Sequence, residues 1–379
     1  MIFCFSCSSN SAESSVIDVL KKYPEKKIIL QDIAEIEYIP LDTSNDVLLT
    51  GTHNITYLSD KYILAAIKSF EQGDVFLFSR DGKVISRFNN KGNSGAEYIN
   101  ISSIAFDEKA EEIYIFDSFS GQKVYVYSKN GDYIRDFNFV DNVNFEIYNF
   151  DEQTLLAYDK YGIAYDFYKN KPYWLISKKD GEILSELDIT LPVRYFNSTR
   201  IALTHPDGTT SLHATGISLN NNRSDGSNLI IGDMSSDTIY RLTSDKKLLP
   251  LITRTPSVHS SEPRVILTPE LKTDKFIVLA KTTLDFEMLA REGTNPFETL
   301  IYDFTSHQTN RVVFVNSDFA SHSLQFSEVS LPQNRGLYAF DALTLITAYE
   351  EDKLMGKLKE LASTLTENDN PVLVYVKFK

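Results

Sequence analysis

The chain has 379 residues, with 38 basic against 52 acidic side chains and a net charge of −14 at neutral pH. That balance argues against nucleic acid, which needs a basic face to neutralise phosphates, and against attachment to membranes through basic residues. Its 21 tyrosines and 24 phenylalanines suit pleated strands, its two cysteines sit within the first seven residues, and no run approaches the ~20 apolar residues of a membrane helix.

The N-terminus is apolar up to Cys7 and polar from Ser8 onward. Cys4 and Cys7 have the spacing of a redox pair or half a zinc site. A redox pair belongs between a strand and a helix, which does not follow, and a zinc site lacks its second pair. The alternative is the end of a bacterial lipoprotein signal, with Ser6 before the cleavage point, Cys7 carrying lipid, and residues 8–15 as a polar tether. Cys4 stands where such signals usually have Leu, no basic segment precedes it, and the apolar stretch is short. A start codon placed too late accounts for the last two. The lipoprotein reading is preferred. It divides the chain into a signal remnant and tether (1–15) and one domain (16–379), anchored by lipid without spanning the membrane.

Residues 27–30 and 36–42 read as strands preceding a repeat. Pro40 cannot donate to a ladder, which puts the second strand at an edge or Pro40 at an unpaired site. The repeat itself is a strand, a tight turn and a strand. Residues 75–88 turn at Gly82, residues 124–137 at Gly131 and residues 173–184 at Gly181, so the turn glycines lie 49 and 50 residues apart. Four-stranded units of this period are the mark of a β-propeller. Blade one then runs from about His53 to Phe88, blade two from Ile99 to Phe137, and blade three over 145–188 with the single tryptophan, Trp174. Blade four covers about 200–251, and its polar run 220–228 reads as an exposed loop. Blade five covers about 263–315 with lengthened loops. A strand at 336–340, a helix with Leu354, Leu358, Leu361 and Leu365 on one face, and a strong strand at 372–378 form a partial sixth unit. A terminal strand completes it and removes the edges of an open ring. The expected fold is all-β, a six-bladed propeller of four-stranded antiparallel blades closed by N- and C-terminal strands, with a short C-terminal helical insertion.

Three stretches carry a family resemblance: residues 36–43, residues 87–98 with Gly92, Gly95, Glu97 and Tyr98, and the tail 358–372. Through them the chain resembles the six-bladed propeller lipoproteins of gut Bacteroides, a family of unknown function related in architecture to NHL and TolB-type propellers. That family usually has Gly-Pro where Ser94-Gly95 stands here. The resemblance implies export, lipidation and a cell-envelope location, on the periplasmic side or the outer-membrane surface. It supplies no catalytic residues.

Chemistry-bearing motifs are sparse. The turn at 92–95 lacks the Lys-Ser/Thr and helix of a phosphate loop and reads as a link between blades. Glu97 is then expected to cap that turn and Tyr98 to pack between blades. His53, His205, His213, His259, His307 and His322 form no local zinc motif. His53 and His205 are the two placed where propeller channels collect polar groups, although residues 205–208 read first as a turn. No calcium loop or nucleophile elbow occurs. Residues 177–181 resemble an Asp-box turn without its aromatic, and the single tryptophan argues against a WD40 domain. The helix is expected to pack on blade six rather than dock a partner.

No catalytic, cofactor-binding or metal-ligating residue is therefore assigned, and no cofactor is expected. The leading expectation is a monomeric, non-catalytic envelope lipoprotein binding a glycan, peptide or protein. The alternative is a lyase or hydrolase with a cation held in the central channel. A flat-faced scaffold is a third. Convergence of His53, His205 and carboxylates at one mouth favours the enzyme; a mouth of Ser, Thr and aromatics favours the binder.

Overall fold

The computed structural model describes residues 15–43, 48–49, 52–139, 145–160, 170–195, 198–205, 207–217, 222–260, 262–320, 322 and 324–379. The chain opens with three strands, β1 (Ser15–Asp18), β2 (Glu25–Ile29) and β3 (Ala34–Pro40), the short helix α1 (Leu30–Ile33) lying between the last two. Blade one is β4 (Ile55–Leu58), β5 (Tyr62–Ala66), β6 (Val75–Ser79) and β7 (Val84–Phe88). Blade two is β8 (Ser103–Asp107), β9 (Glu112–Asp117), β10 (Lys123–Ser128) and β11 (Tyr133–Asn138). Blade three is β12 (Phe145–Asn149), β13 (Thr154–Asp159), β14 (Tyr173–Ser177) and β15 (Ile183–Glu186). A separate hairpin, β16 (Ser198–Thr204) with β17 (Thr210–Gly216), follows. Blade four is β18 (Asn222–Asp225), β19 (Asn228–Ile231), β20 (Thr238–Leu242) and β21 (Leu248–Thr255). Blade five is β22 (Arg264–Lys272), β23 (Phe276–Leu284), β24 (Phe297–Asp303) and β25 (Gln308–Val315), with α2 (Phe286–Glu292) inserted after β23. Blade six combines β26 (Arg335–Phe340), β27 (Val372–Phe378) and β3, with α3 (Ala342–Glu350) and α4 (Gly356–Ala362) between its first two strands.

The fold is thus the expected closed six-bladed propeller. The inner position of blade six is held by residues 326–330, which bond to β26 through Ser327 N–H and the Leu337 carbonyl at 2.7 Å. The same segment pairs with β4 of blade one, Leu58 N–H donating to Ser330 O at 3.0 Å and Ser330 N–H to Thr56 O at 3.1 Å. Closure is completed on the outside by β3, antiparallel to β27 with Pro40 opposite Val372. Pro40 is the last residue of an outermost strand, where its missing N–H costs no ladder bond. Before reaching blade six, the N-terminal segment adds a parallel fifth strand to two other blades: β1 beside β21 and β2 beside β25.

Burial explains the sequence patterns. The second and third strands of a blade are covered on both faces by neighbouring blades, so β5, β9 and β13 read as continuous apolar runs. The outermost β7 alternates. Six apolar clusters fill the six seams between blades; the one between blades five and six also takes Leu345, Leu354 and Leu358 from the helical insertion. The leucine face therefore packs as expected, but on two short helices broken at 351–355 rather than one.

Two expectations about blade four are corrected. Its inner strand is β18, within the polar run read as an exposed loop: Asn222, Arg223 and Asp225 are buried. An inner strand faces the channel, so polar residues there meet polar groups from other blades and need no apolar alternation. Residues 198–216, assigned to blade four, form the hairpin outside the ring.

The turn glycines do more than turn. Gly82, Gly131 and Gly181 have φ of 84°, 89° and 76°, which L side chains adopt at a cost. Each turn also abuts the outer strand of the preceding blade: a Cβ on Gly131 would lie 2.4 Å from the Phe88 ring, and one on Gly82 2.1 Å from the Pro40 carbonyl of the closing strand. Gly131→Ala is expected to lower stability by about 2 kcal/mol or more, since left-handed backbone alone costs ~1–2. Gly121→Ala, with φ 79° and open space around it, should cost only that backbone share. Urea unfolding of both variants checks this; equal losses would show that the turn-to-blade contact carries no weight.

Candidate functional site

The inner strands enclose a central cavity of about 350 Å³. Blade one contributes His53, Thr56, Tyr57 and Lys68; blade two Ser102, Ser103 and Phe106; blade three Glu146, Tyr148, Asn149 and Lys160; blade four Asn222 and Ser224; blade six Ser327, Glu328 and Ser330. Lys68 and Lys160 hold related places, each just past the end of its blade's second strand. Such positions put a long side chain at the channel mouth while the preceding apolar run stays between blades.

Charge is arranged in layers. The Lys160 ammonium pairs with Glu146, whose other carboxylate oxygen accepts from the Tyr148 hydroxyl at 2.7 Å. Burial pushes the Glu146 carboxyl up, but Lys160, the Tyr148 hydroxyl and Lys68 together outweigh it and hold the group below its ordinary value. Glu328 is pushed the other way, by burial and then by Glu146. Burial lowers Lys68, opposed by Glu146 and Glu328. The Lys68 side chain is nevertheless exposed, which moderates that shift. Among the described residues no carboxylate lies within 4 Å of its ammonium.

Asn222 is 2 % exposed and lines the cavity. Its amide lies beside the Tyr148 hydroxyl, but neither amide atom completes a hydrogen bond of good geometry among the described residues. Deeper in, Arg223 is 5 % exposed and ties three blades together: Nε donates to the Pro269 carbonyl at 3.2 Å and Nη1 to the Ser327 carbonyl at 3.1 Å. Beside it, burial raises Glu270, and Gln325 Nε2 donates to that carboxylate at 3.4 Å. Asp225 then meets Arg241 at 3.1 Å and Lys272 at 3.3 Å.

Two exposed aromatics lie on loops that also carry or contact cavity residues. Phe70, two residues past Lys68, is 64 % exposed, and Phe119 is 54 % exposed. Their rings meet edge to face with centroids 4.9 Å apart. Phe119 follows Ser118, whose hydroxyl is 2.9 Å from that of the cavity residue Ser102. The Lys91 ammonium donates to the Phe70 carbonyl.

Of the histidines, only His53 lines the cavity. His205 is not at the channel: it lies at the end of the extra hairpin, where it and His213 flank the Ser211 hydroxyl at 2.6 and 2.7 Å. His259 bonds Tyr195 at 2.7 Å, His307 bonds Tyr302 at 2.9 Å, and His322 stacks on Phe319. Among the described residues no three of His, Cys, Asp and Glu are gathered to hold a metal ion. Glu97 caps its turn by accepting from Ser94 N–H at 2.9 Å, and Tyr98 is fully buried in the seam between blades one and two. Cys4 and Cys7 lie outside the described residues.

The site residues were missed in the sequence because each blade supplies only a few. Lys68, Glu146, Lys160, Asn222 and Glu328 belong to no local motif. The available signal was the lysine placed just after the second apolar run in both blades one and three.

A solved structure agrees on the architecture. A Bacteroides fragilis protein described as exported superposes with a TM-score of 0.67 at 14 % identity, covering 96 % of this chain and 100 % of its own. A protein of unknown function from Bacteroides thetaiotaomicron has a TM-score of 0.41 at 11 % identity, covering 90 % of this chain and 75 % of its own. A virginiamycin B lyase from Staphylococcus aureus has a TM-score of 0.39 at 11 % identity, covering 91 % and 100 %. The first of these likenesses speaks to the fold. No curated protein matches the chain. A family model described as a domain of unknown function, DUF4934, matches residues 14–377, so the chain belongs to that family.

Proposed function

We propose that this protein is a cell-envelope binding protein, exported and anchored through lipid on Cys7, whose central channel receives a small polar ligand. The observation that carries the reading is the cavity of about 350 Å³ lined by hydroxyl, amide and charged side chains from five blades, within the size range of ligand sites. Its Ser, Thr, Tyr and Asn lining supports binding over cation-assisted chemistry. The apolar-to-polar switch at Cys7 supports the anchor, and no helix among the described residues is long and apolar enough to cross a membrane.

One observation favours an enzyme instead. Glu146 and Glu328 line one cavity with their carboxyls pushed in opposite directions, the arrangement that separates an acid from a base. The two readings part in one experiment. Full-length protein is screened by thermal shift against saccharides and short peptides, with products followed by mass spectrometry. A ligand at 100 times its Kd stabilises by about 2.7 kcal/mol, readable as a rise of several degrees. The rise should vanish in Ser224→Trp, which fills the channel; Ser327→Phe serves if the first variant does not fold. Turnover of the hit supports the enzyme, and hits that survive both channel variants remove the channel reading. Mass spectrometry of the N-terminal peptide should show lipid on Cys7 and none in Cys7→Ser.

A further inference from the structure

In a chain of net charge −14, the cavity holds two lysines, Lys68 and Lys160, with Lys91 nearby against the Phe70 carbonyl. Lys160 is neutralised by Glu146, and Lys91 is occupied by a carbonyl. Lys68 has no carboxylate within 4 Å among the described residues. A cation in a walled cleft draws anions more strongly than the same cation on an open surface. Glu328, held toward its neutral form by burial and Glu146, opposes this less than an ordinary carboxylate.

Two further observations limit what the anion is attached to. Asn222 offers a buried amide beside the Tyr148 hydroxyl that completes no hydrogen bond of good geometry among the described residues, and the serines around it add hydroxyls. That lining suits a polyol, each of whose hydroxyls both donates and accepts. The Phe70–Phe119 pair, on the loops that carry Lys68 and Ser118, has its rings exposed, an apolar platform for the C–H face of a pyranose. The cavity is small, so a chain longer than one or two rings must extend beyond it, and the exposed pair beside Lys68 is the apolar surface offered to it.

We propose that the mouth binds an acidic oligosaccharide, its carboxylate on Lys68, its hydroxyls on Asn222 and the channel serines, and its next rings over Phe70 and Phe119. This rests on the reading of the channel as a ligand site. Uronic-acid chains and sialylated glycans share that chemistry, so both serve as probes.

The test is calorimetric titration of the full chain with trigalacturonic acid, 3′-sialyllactose, and the neutral controls maltotriose and lactose. At least one acidic probe should bind ten or more times tighter than its neutral control and weaken as salt rises; which one binds identifies the source. Lys68→Met should lower that affinity at least tenfold. Phe70→Ala with Phe119→Ala should lower trisaccharide affinity several-fold and leave galacturonic acid or sialic acid monomer unchanged; circular dichroism and melting confirm that the variants fold. Equal binding of acidic and neutral probes, an unchanged Lys68→Met, or no saccharide binding would each overturn the inference. The channel reading survives that failure if a peptide or other hit from the thermal screen is lost in Ser224→Trp or Ser327→Phe, and falls with it if every hit persists.

Discussion

A chain ending at Asn370 is expected to lose cooperative folding. The lost strand, β27, is the middle of blade six, hydrogen-bonded to β26 on one side and β3 on the other. Val372, Leu373, Val374, Tyr375 and Val376 have no exposed surface. They belong to the seams on both sides, towards blade five and towards blade one. At ~1.5–3 kcal/mol per large buried apolar side chain, their removal forfeits on the order of 10 kcal/mol, comparable with the ~5–15 kcal/mol stability of a whole domain. It also bares two strand edges that invite association. Near-ultraviolet circular dichroism and gel filtration should show an expanded, aggregating chain. Removal of residues 1–24 makes the contrasting case. It deletes β1, a fifth strand, and with it buried Ile17 and Val19. Four-stranded blade four remains, so a folded protein with a lower urea midpoint is expected. Equal damage from the two truncations would mean that ring closure is not what holds the fold.

Lys178→Ala is expected to cost about 3–5 kcal/mol, the range for a buried ion pair deprived of one partner. The Lys178 ammonium meets Asp107 Oδ2 at 2.5 Å, with the two side chains 5 % and 6 % exposed. It also donates to the Asp151 carbonyl at 2.5 Å. Asp107 Oδ1 accepts from the N–H groups of Lys109 and Ala110 at 3.0 and 3.1 Å. The pair fastens the end of the inner strand of blade two to the third strand's turn in blade three. Without Lys178, the carboxylate stays buried with no cation to offset its desolvation. Lys178→Met combined with Asp107→Asn should recover much of the loss, and a double-mutant cycle on denaturant midpoints measures the coupling. A cost below ~1 kcal/mol for Lys178→Ala, the range of exposed pairs, would show that water reaches Asp107.

The glycines at 82, 131 and 181 made the repeat legible, because a tight turn needs a left-handed residue at the same place in each blade and the strands beside it need apolar side chains. Blades one, two, three and five could be bounded from such local patterns. Blade four could not: Asn222, Arg223 and Asp225 look like a loop until ring closure buries all three and gives Arg223 and Asp225 their partners. The parallel additions of β1 and β2 were equally hidden, since pairing a fifth strand depends on where the ring carries the N-terminal segment and not on that segment's own residues.

What the residues determined alone was the unit: its length, its turns, its apolar strands and the leucine face that covers the last seam. These are short-range properties, set by backbone conformation and by alternation along a few residues. What the tertiary structure decided was the site. Lys68, Glu146, Lys160, Asn222 and Glu328 lie far apart in the chain and share one cavity only because the ring closes and brings successive inner strands to a common axis. Their charges acquire meaning from that convergence, which offsets Lys160 with Glu146, turns Glu328 toward its neutral form and leaves the Lys68 ammonium facing the channel.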